Sequence, residues 1–161
     1  MAFFIRPLRS EEIGRLQNFQ YLALHVPDGH APYEQSIVET PAIRKYFAHW
    51  GRKGDIALVA ESNNGELVGA IWSRLHITEY PGYGFIDEDT PEFSLAVLPE
   101  YRGRGIGTKL LQHYLEEVKQ QGFRKVSLSV DASNPASKLY ERLGFKVVSK
   151  SGNPTMLLQL R

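Results

Sequence analysis

Tyr101-Arg102-Gly103-Arg104-Gly105-Ile106-Gly107-Thr108 is the stretch that decides the fold. It follows a strand-like run, Glu92-Phe93-Ser94-Leu95-Ala96-Val97, and opens a helix-like run from Lys109 to Gln121. In that run Leu110, Leu111, Tyr114, Leu115 and Val118 share one helical face. Three alternating glycines therefore sit at a strand-to-helix turn. Glycine has no Cβ, so its backbone N–H can approach a ligand closely. The first N–H groups of a helix lack internal partners, and the helix dipole favours an anion there. Arg102 and Arg104 add positive charge. The stretch reads as a phosphate cradle.

Downstream, Val126 to Val130 forms a strand pattern, and Asp131-Ala132-Ser133-Asn134-Pro135 a turn that opens a short helix from Ala136 to Leu143. Gly144 stops that helix, and Phe145 to Val148 and Met156 to Leu160 finish as strands. Upstream, Phe3 to Arg6 is a short strand stopped by Pro7. A helix runs from about Ser10 to Leu24, and a proline-broken loop covers His25 to Pro32. A short helix is expected around Tyr33 to Glu39. A second one starts at Thr40-Pro41, with Ile43, Tyr46, Phe47 and Trp50 as its apolar stripe. Ile56 to Ala60 and Leu67 to Trp72 flank Asn63-Asn64-Gly65 as a hairpin, with the second strand extending as far as Ile77. Glu79 to Thr90 is a loop. Trp50 and Trp72 read as core.

The order is β-α-α-β-β-β-α-β-α-β-β. Strands on either side of the long helix should be parallel neighbours through a right-handed crossover, and the flanking hairpins antiparallel. That gives an α/β mixed sheet with helices on both faces.

With 161 residues, one domain spanning 1–161 is long enough to bury a core. A net charge of +1 gives no reason to expect nucleic acid or an anionic membrane surface. No cysteine is present, which excludes disulfides, thiolate metal sites and a cysteinyl acyl intermediate. No apolar run reaches spanning length, and Met1 to Arg9 lacks a signal-peptide core, so a cytoplasmic protein is the default expectation. His25 and His30 lack a third ligand, so no metal is expected.

Two nucleotide motifs fail on spacing. A dinucleotide fingerprint needs G-x-G-x-x-G, whereas the glycines here are Gly103, Gly105 and Gly107. A nucleotide P-loop needs lysine directly after its last glycine, and Thr108 stands there. What the residues do match is the phosphate-loop pattern Arg/Gln-x-x-Gly-x-Gly/Ala, as Arg102-Gly103-Arg104-Gly105-Ile106-Gly107. A second block follows: Asn134-Pro135-Ala136, Leu139-Tyr140 and Leu143-Gly144-Phe145. Together, from about Glu92 to Val148, they resemble the GNAT superfamily of N-acetyltransferases. The N-terminal half agrees only in element order.

The resemblance implies a mainly antiparallel sheet of about seven strands. It also implies acetyl-CoA as cosubstrate. The coenzyme's pyrophosphate would rest on Arg102, Gly103, Arg104, Gly105, Ile106, Gly107 and Thr108. Its amide-bearing arm would pair along Leu95, Ala96 and Val97 and reach Asn134, Ala136 and Tyr140. The N–H near Val97 would face the thioester oxygen. An ammonium with a pKa near ~10.4 must lose a proton before it attacks. Glu92 matches the family's base position, and a solvated strand-end glutamate is the plainer reading of it. Tyr140 matches the acid that protonates the departing thiolate, with ordinary aromatic packing as the alternative. Asn134 serves equally as a helix cap.

On the acceptor side stand the loops His25 to Tyr33 and Glu79 to Asp89. Tyr80, Tyr83 and Phe85 are possible walls, and Asp87-Glu88-Asp89 either attracts a cationic amine or is a solvated run. The implied enzyme is an N-acetyltransferase acting on a small molecule, a peptide or a protein N-terminus. A non-catalytic acyl-CoA-binding sensor, a transferase for longer acyl groups and a peptide-reading protein are the rival readings. A homodimer through exposed C-terminal strands is a family-level analogy.

Overall fold

A computed structural model describes residues 2–161. Seven strands form one sheet: β1 (Phe3–Pro7), β2 (Ile56–Ser62), β3 (Leu67–Arg74), β4 (Glu92–Val97), β5 (Lys125–Ser129), β6 (Lys146–Ser149) and β7 (Thr155–Gln159). Their spatial order is β1-β2-β3-β4-β5-β7-β6. Four helices accompany them: α1 (Arg15–Ala23), α2 (Pro41–Arg44), α3 (Ile106–Gln120) and α4 (Ala136–Arg142). The mixed, mainly antiparallel sheet with helices on both faces is the architecture the sequence implies.

Alternation along β4 sorts its side chains between the two faces. Phe93, Leu95 and Val97 point toward α3 and α4, in a core with Ile106, Leu110, Leu111, Tyr114, Val118, Tyr140 and Phe145. Ala96 joins Leu16 and Phe19 of α1 on the other face, with Val59, Ala70 and Trp72. Trp72 is core as expected, and its indole N–H is satisfied by Gln20 Oε1 at 3.2 Å. Trp50 is half-buried at the edge of that same cluster, with the Arg74 guanidinium stacked 5.0 Å from its ring.

The N-terminal helices depart from the expected bounds. The first is split into a 3-10 turn, Ser10–Glu12, and α1, although Ile13 and Gly14 between them keep helical backbone angles. The segment before α2 is a 3-10 turn, Gln35–Glu39. The expected helix through Trp50 stops at Arg44. Arg74, buried in β3, takes the carbonyls of Lys45 and Ala48 at 3.1 and 2.7 Å. Asp55 takes the N–H groups of Gly51 and Arg52. The bonds from Arg74 are long-range and compete with the helical ladder for the same carbonyls, while those of Asp55 are local and fix the turn that follows. β3 ends at Arg74 rather than running on to Ile77, which instead bridges to Tyr80 within the following turn.

What positions the site is the junction of β4 and β5. They are parallel and pair at one register position, Glu92 with Ser127, and then diverge.

Candidate active site

The glycine turn has the conformation its composition demands. Gly103 and Gly105 have φ of +77° and +81°, and nothing within 4 Å would obstruct a side chain at either position. The backbone conformation, not crowding, selects glycine there. α3 begins at Ile106, three residues before the run read from the sequence, so the free N–H groups of its first turn belong to Ile106, Gly107 and Thr108. The arginines are not both aimed at the cradle. Arg102 donates from Nε to the Val97 carbonyl at 3.1 Å, and the Arg104 guanidinium lies 5.2 Å from the Tyr101 ring.

Leu98 donates to Val68 across β3 and β4, so alternation turns the N–H groups of Val97 and Leu95 away from β3. That is the side from which β5 has diverged. An amide-bearing chain entering the gap meets two open strand donors, with the glycine turn at the same end of β4. The residues therefore suit a pyrophosphate joined to an amide arm. In the turn between β5 and α4, Asn134 Oδ1 accepts the N–H of Ala136 at 2.9 Å. Its side-chain oxygen thus serves the start of α4.

Tyr140 lies on α4 and its ring is 6% exposed. It meets Phe93 and Phe145 edge-on at 5.9 and 5.8 Å. Burial raises its phenol above the usual tyrosine range, which keeps it protonated. Glu92 is 2% exposed and follows the opposite alternation from Phe93. The two candidate catalytic groups therefore stand on opposite faces of the sheet, and the gap between β4 and β5 is what connects them.

Glu92 is not the solvated strand end of the plainer reading. Its Oε2 accepts the Tyr46 hydroxyl at 2.6 Å and the Gly84 N–H at 3.0 Å. Burial pushes its carboxyl up to about 7, opposed by those two hydrogen bonds. The loop before β4 roofs it. A Cβ on Gly82 would collide with the Glu92 carboxyl and lie 2.9 Å from the Tyr46 oxygen, and one on Gly84 would lie 2.6 Å from the Leu128 backbone. Ser127 Oγ donates to the Gly84 carbonyl at 2.7 Å, pinning the loop at the point where the strands part.

The acidic run serves this loop. Asp87 pairs with Lys125 at 2.9 Å and accepts the Thr90 hydroxyl, and Glu88 accepts the Thr78 N–H and hydroxyl. Tyr80 and Tyr83 are exposed, while Phe85 is half-buried. His25 and His30 belong to no metal-ligand cluster among the described residues. His25 Nε2 instead meets Ser133 Oγ at 3.1 Å. Ser133 donates its hydrogen to Asp131 at 2.6 Å, so its oxygen accepts from the imidazole, the wrong polarity for a serine nucleophile.

Sequence reasoning missed Tyr46, which falls in an apolar stripe, and His76, which sits in what reads as a strand extension. The pair Gly82 and Gly84 was the available signal: two glycines spaced by one residue just before a strand mark a close backbone approach.

Residues 18–145 match the model of the Acetyltransferase (GNAT) family. The chain is 32% identical over 109 residues to a mycothiol acetyltransferase of Corynebacterium aurimucosum, covering 64% of this chain and 34% of that protein. It is 33% identical over 108 residues to N-alpha-acetyltransferase 30 of Schizosaccharomyces pombe, covering 64% of each. The match thus spans about a third of the first relative and under two thirds of the second. Among solved structures, the PaiA N-acetyltransferase of Thermoplasma acidophilum in complex with coenzyme A superposes with a TM-score of 0.71 at 21% identity, covering 99% of each chain. A GNAT family acetyltransferase of Brucella melitensis in complex with acetyl-CoA gives 0.64 at 22%, covering 99% of this chain and 89% of that one. With the phosphate turn, the diverging strands and a family match over most of its length, the chain belongs to the GNAT acetyltransferase family.

Proposed function

We propose that this protein transfers an acetyl group from acetyl-CoA to a primary amine by direct attack in a ternary complex. The observation that carries the reading is the single register pair between β4 and β5. It opens a slot lined by the free N–H groups of Leu95 and Val97, with Tyr140 on one face and Glu92 on the other. A thioester supplies an activated acetyl group when bound. The chain supplies the rest. The glycine turn and the first turn of α3, together Gly103 to Thr108, hold the phosphates. Leu95, Ala96 and Val97 align the arm, and Asn134 and Ala136 bound it on the far side. Tyr140 delivers a proton to the departing sulfur, and its burial keeps that proton available. Glu92 removes the proton of the arriving ammonium through water or a shift of the Gly82–Gly84 roof, since the carboxyl is closed over. The absence of cysteine supports direct transfer over a cysteinyl relay.

The relatives carry different names, a mycothiol acetyltransferase and an N-alpha-acetyltransferase, so they point to no single acceptor. A primary amine is the group common to this reading. The test is thiol release from acetyl-CoA across an amine panel that includes amino sugars and N-terminal peptides. With a competent amine, Tyr140→Phe should lower kcat by roughly 10²–10⁴-fold, and an unchanged kcat would remove Tyr140 from the mechanism.

The burial of Glu92 favours one alternative, an acyl-CoA-binding module without turnover. Tight coenzyme binding by calorimetry, with no thiol release from any amine of the panel, would select it.

A further inference from the structure

The two oxygens of Glu92 are in different circumstances. Oε2 already receives two hydrogens, from Tyr46 and from Gly84. Oε1 is buried and has no hydrogen-bond partner. Facing it at 3.8 Å is Nε2 of His76, also buried and also without a partner. Two sealed, unpaired polar atoms pointed at one another are costly unless a hydrogen is shared between them. A carboxylate that gains a proton keeps it on the oxygen where no donor points, which here is Oε1. The acceptor in front of that hydrogen is an imidazole nitrogen, free to accept when the ring carries its own hydrogen on Nδ1.

We propose that His76 is the positioning residue of Glu92: as a neutral Nδ1–H imidazole it accepts a hydrogen bond from Oε1–H, so that the protonated carboxyl has a partner. This rests on the reading of Glu92 as the base. In the proton-transfer step an N–H bond of the ammonium breaks and Oε1–H forms, directly or through one water, with no other bond changed. The surroundings hold the imidazole neutral. The Tyr46 ring meets it edge-on at 5.0 Å. Lys45, Arg74 and Arg52 oppose a positive charge on it, while Asp55 favours one weakly. The Lys45 ammonium lies at the Pro81 carbonyl and the Tyr83 ring, and Arg74 is paired with Asp55, so neither neutralises Glu92 by direct contact. From the roof only the Gly84 N–H reaches the carboxyl. Burial, with those cations, takes His76 down to about 4. A neutral imidazole forms no ion pair, and at 3.8 Å the two atoms stand beyond hydrogen-bond distance, so the proposed bond forms when the pair closes by roughly 1 Å on protonation of Oε1.

Two measurements test this. In ¹⁵N-labelled full-length protein, the His76 ring should show the Nδ1–H tautomer, with Nε2 unprotonated, throughout pH 5.5–8. An imidazolium near neutrality, or the Nε2–H tautomer, overturns the proposal whether or not the protein has turned over any substrate. With a competent amine, His76→Gln places an amide donor against the carboxylate. It should move the acidic limb of the pH profile of kcat/KM down by about one unit, with the KM for acetyl-CoA unchanged. A limb that stays in place or moves up overturns it. If Glu92→Gln leaves the rate untouched, Glu92 is not the base, and the ring spectrum still decides the pair on its own.

Discussion

At Gly82, the smallest side chain holds the most crowded position near Glu92. Its φ is ordinary, so space rather than backbone conformation excludes a methyl group there. Gly82→Ala must push the carboxyl, the Tyr46 hydroxyl or the loop itself. Overpacking of this kind costs about 1–3 kcal/mol, read as a lower midpoint in urea denaturation. A wild-type midpoint would show that the loop gives way freely. The alanine should also weaken the bond from Gly84 to Oε2, since the two glycines ride on one short segment. Glu92 itself was legible as a residue of interest, from its place at the head of the strand before the glycine turn. Its burial was not, because the roof comes from a loop whose glycines read only as breakers.

Among the elements, α2 shows why the N-terminal half was harder to read than the C-terminal half. The stripe of Ile43, Tyr46, Phe47 and Trp50 suits a three-turn helix, yet the helix spans only Pro41–Arg44. A single side chain from β3 intervenes. The Arg74 guanidinium is 1% exposed, pairs with Asp55 at 2.7 Å and draws in two carbonyls of the segment after α2. Tyr46 is carried on that same segment. Arg74→Leu leaves Asp55 buried without its partner and frees both carbonyls, so a loss of about 3–5 kcal/mol is expected in chemical denaturation. Tyr46 should lose its alignment with Glu92 at the same time. By contrast, α3 and α4 were readable because an uninterrupted 3.6-residue period and terminal glycines specify them without help from distant groups.

Taken over the whole molecule, the buried pair has an unusual linkage to pH. Glu92 rises from an ordinary 4.5 to about 7, so between those values the folded state holds more protons and stability falls as pH rises. His76 drops from 6.5 to about 4, so across that window the unfolded state holds more protons and stability climbs as pH rises. From about pH 4.5 to 6.5 the two slopes oppose and nearly cancel. Each state carries one proton on the pair: on Glu92 when folded, on His76 when unfolded. Glu92→Gln removes one slope. The variant should then gain about 3 kcal/mol of stability between pH 4 and 6.5, where the wild type stays nearly level. Equal slopes in the two proteins would refute the linkage. Below that window another group takes over. The Arg6 guanidinium holds Glu12 down to about 2, so this carboxylate's contribution is present above about pH 4.5 and is lost as pH falls toward 2.

The sequence by itself determined the order of elements and the glycine turn, because periodicity and positive φ are dictated by neighbours along the chain. The slot beside β4 was implied only by the family resemblance, and the single register pair between β4 and β5 is what shows it. Only the tertiary structure decided what Glu92 is. Its hydrogen-bond partner Tyr46 lies 46 residues away, and His76 and the Gly82–Gly84 roof arrive from other elements. The proton affinity of a carboxyl depends on what surrounds it, and no local pattern in the chain encodes that enclosure.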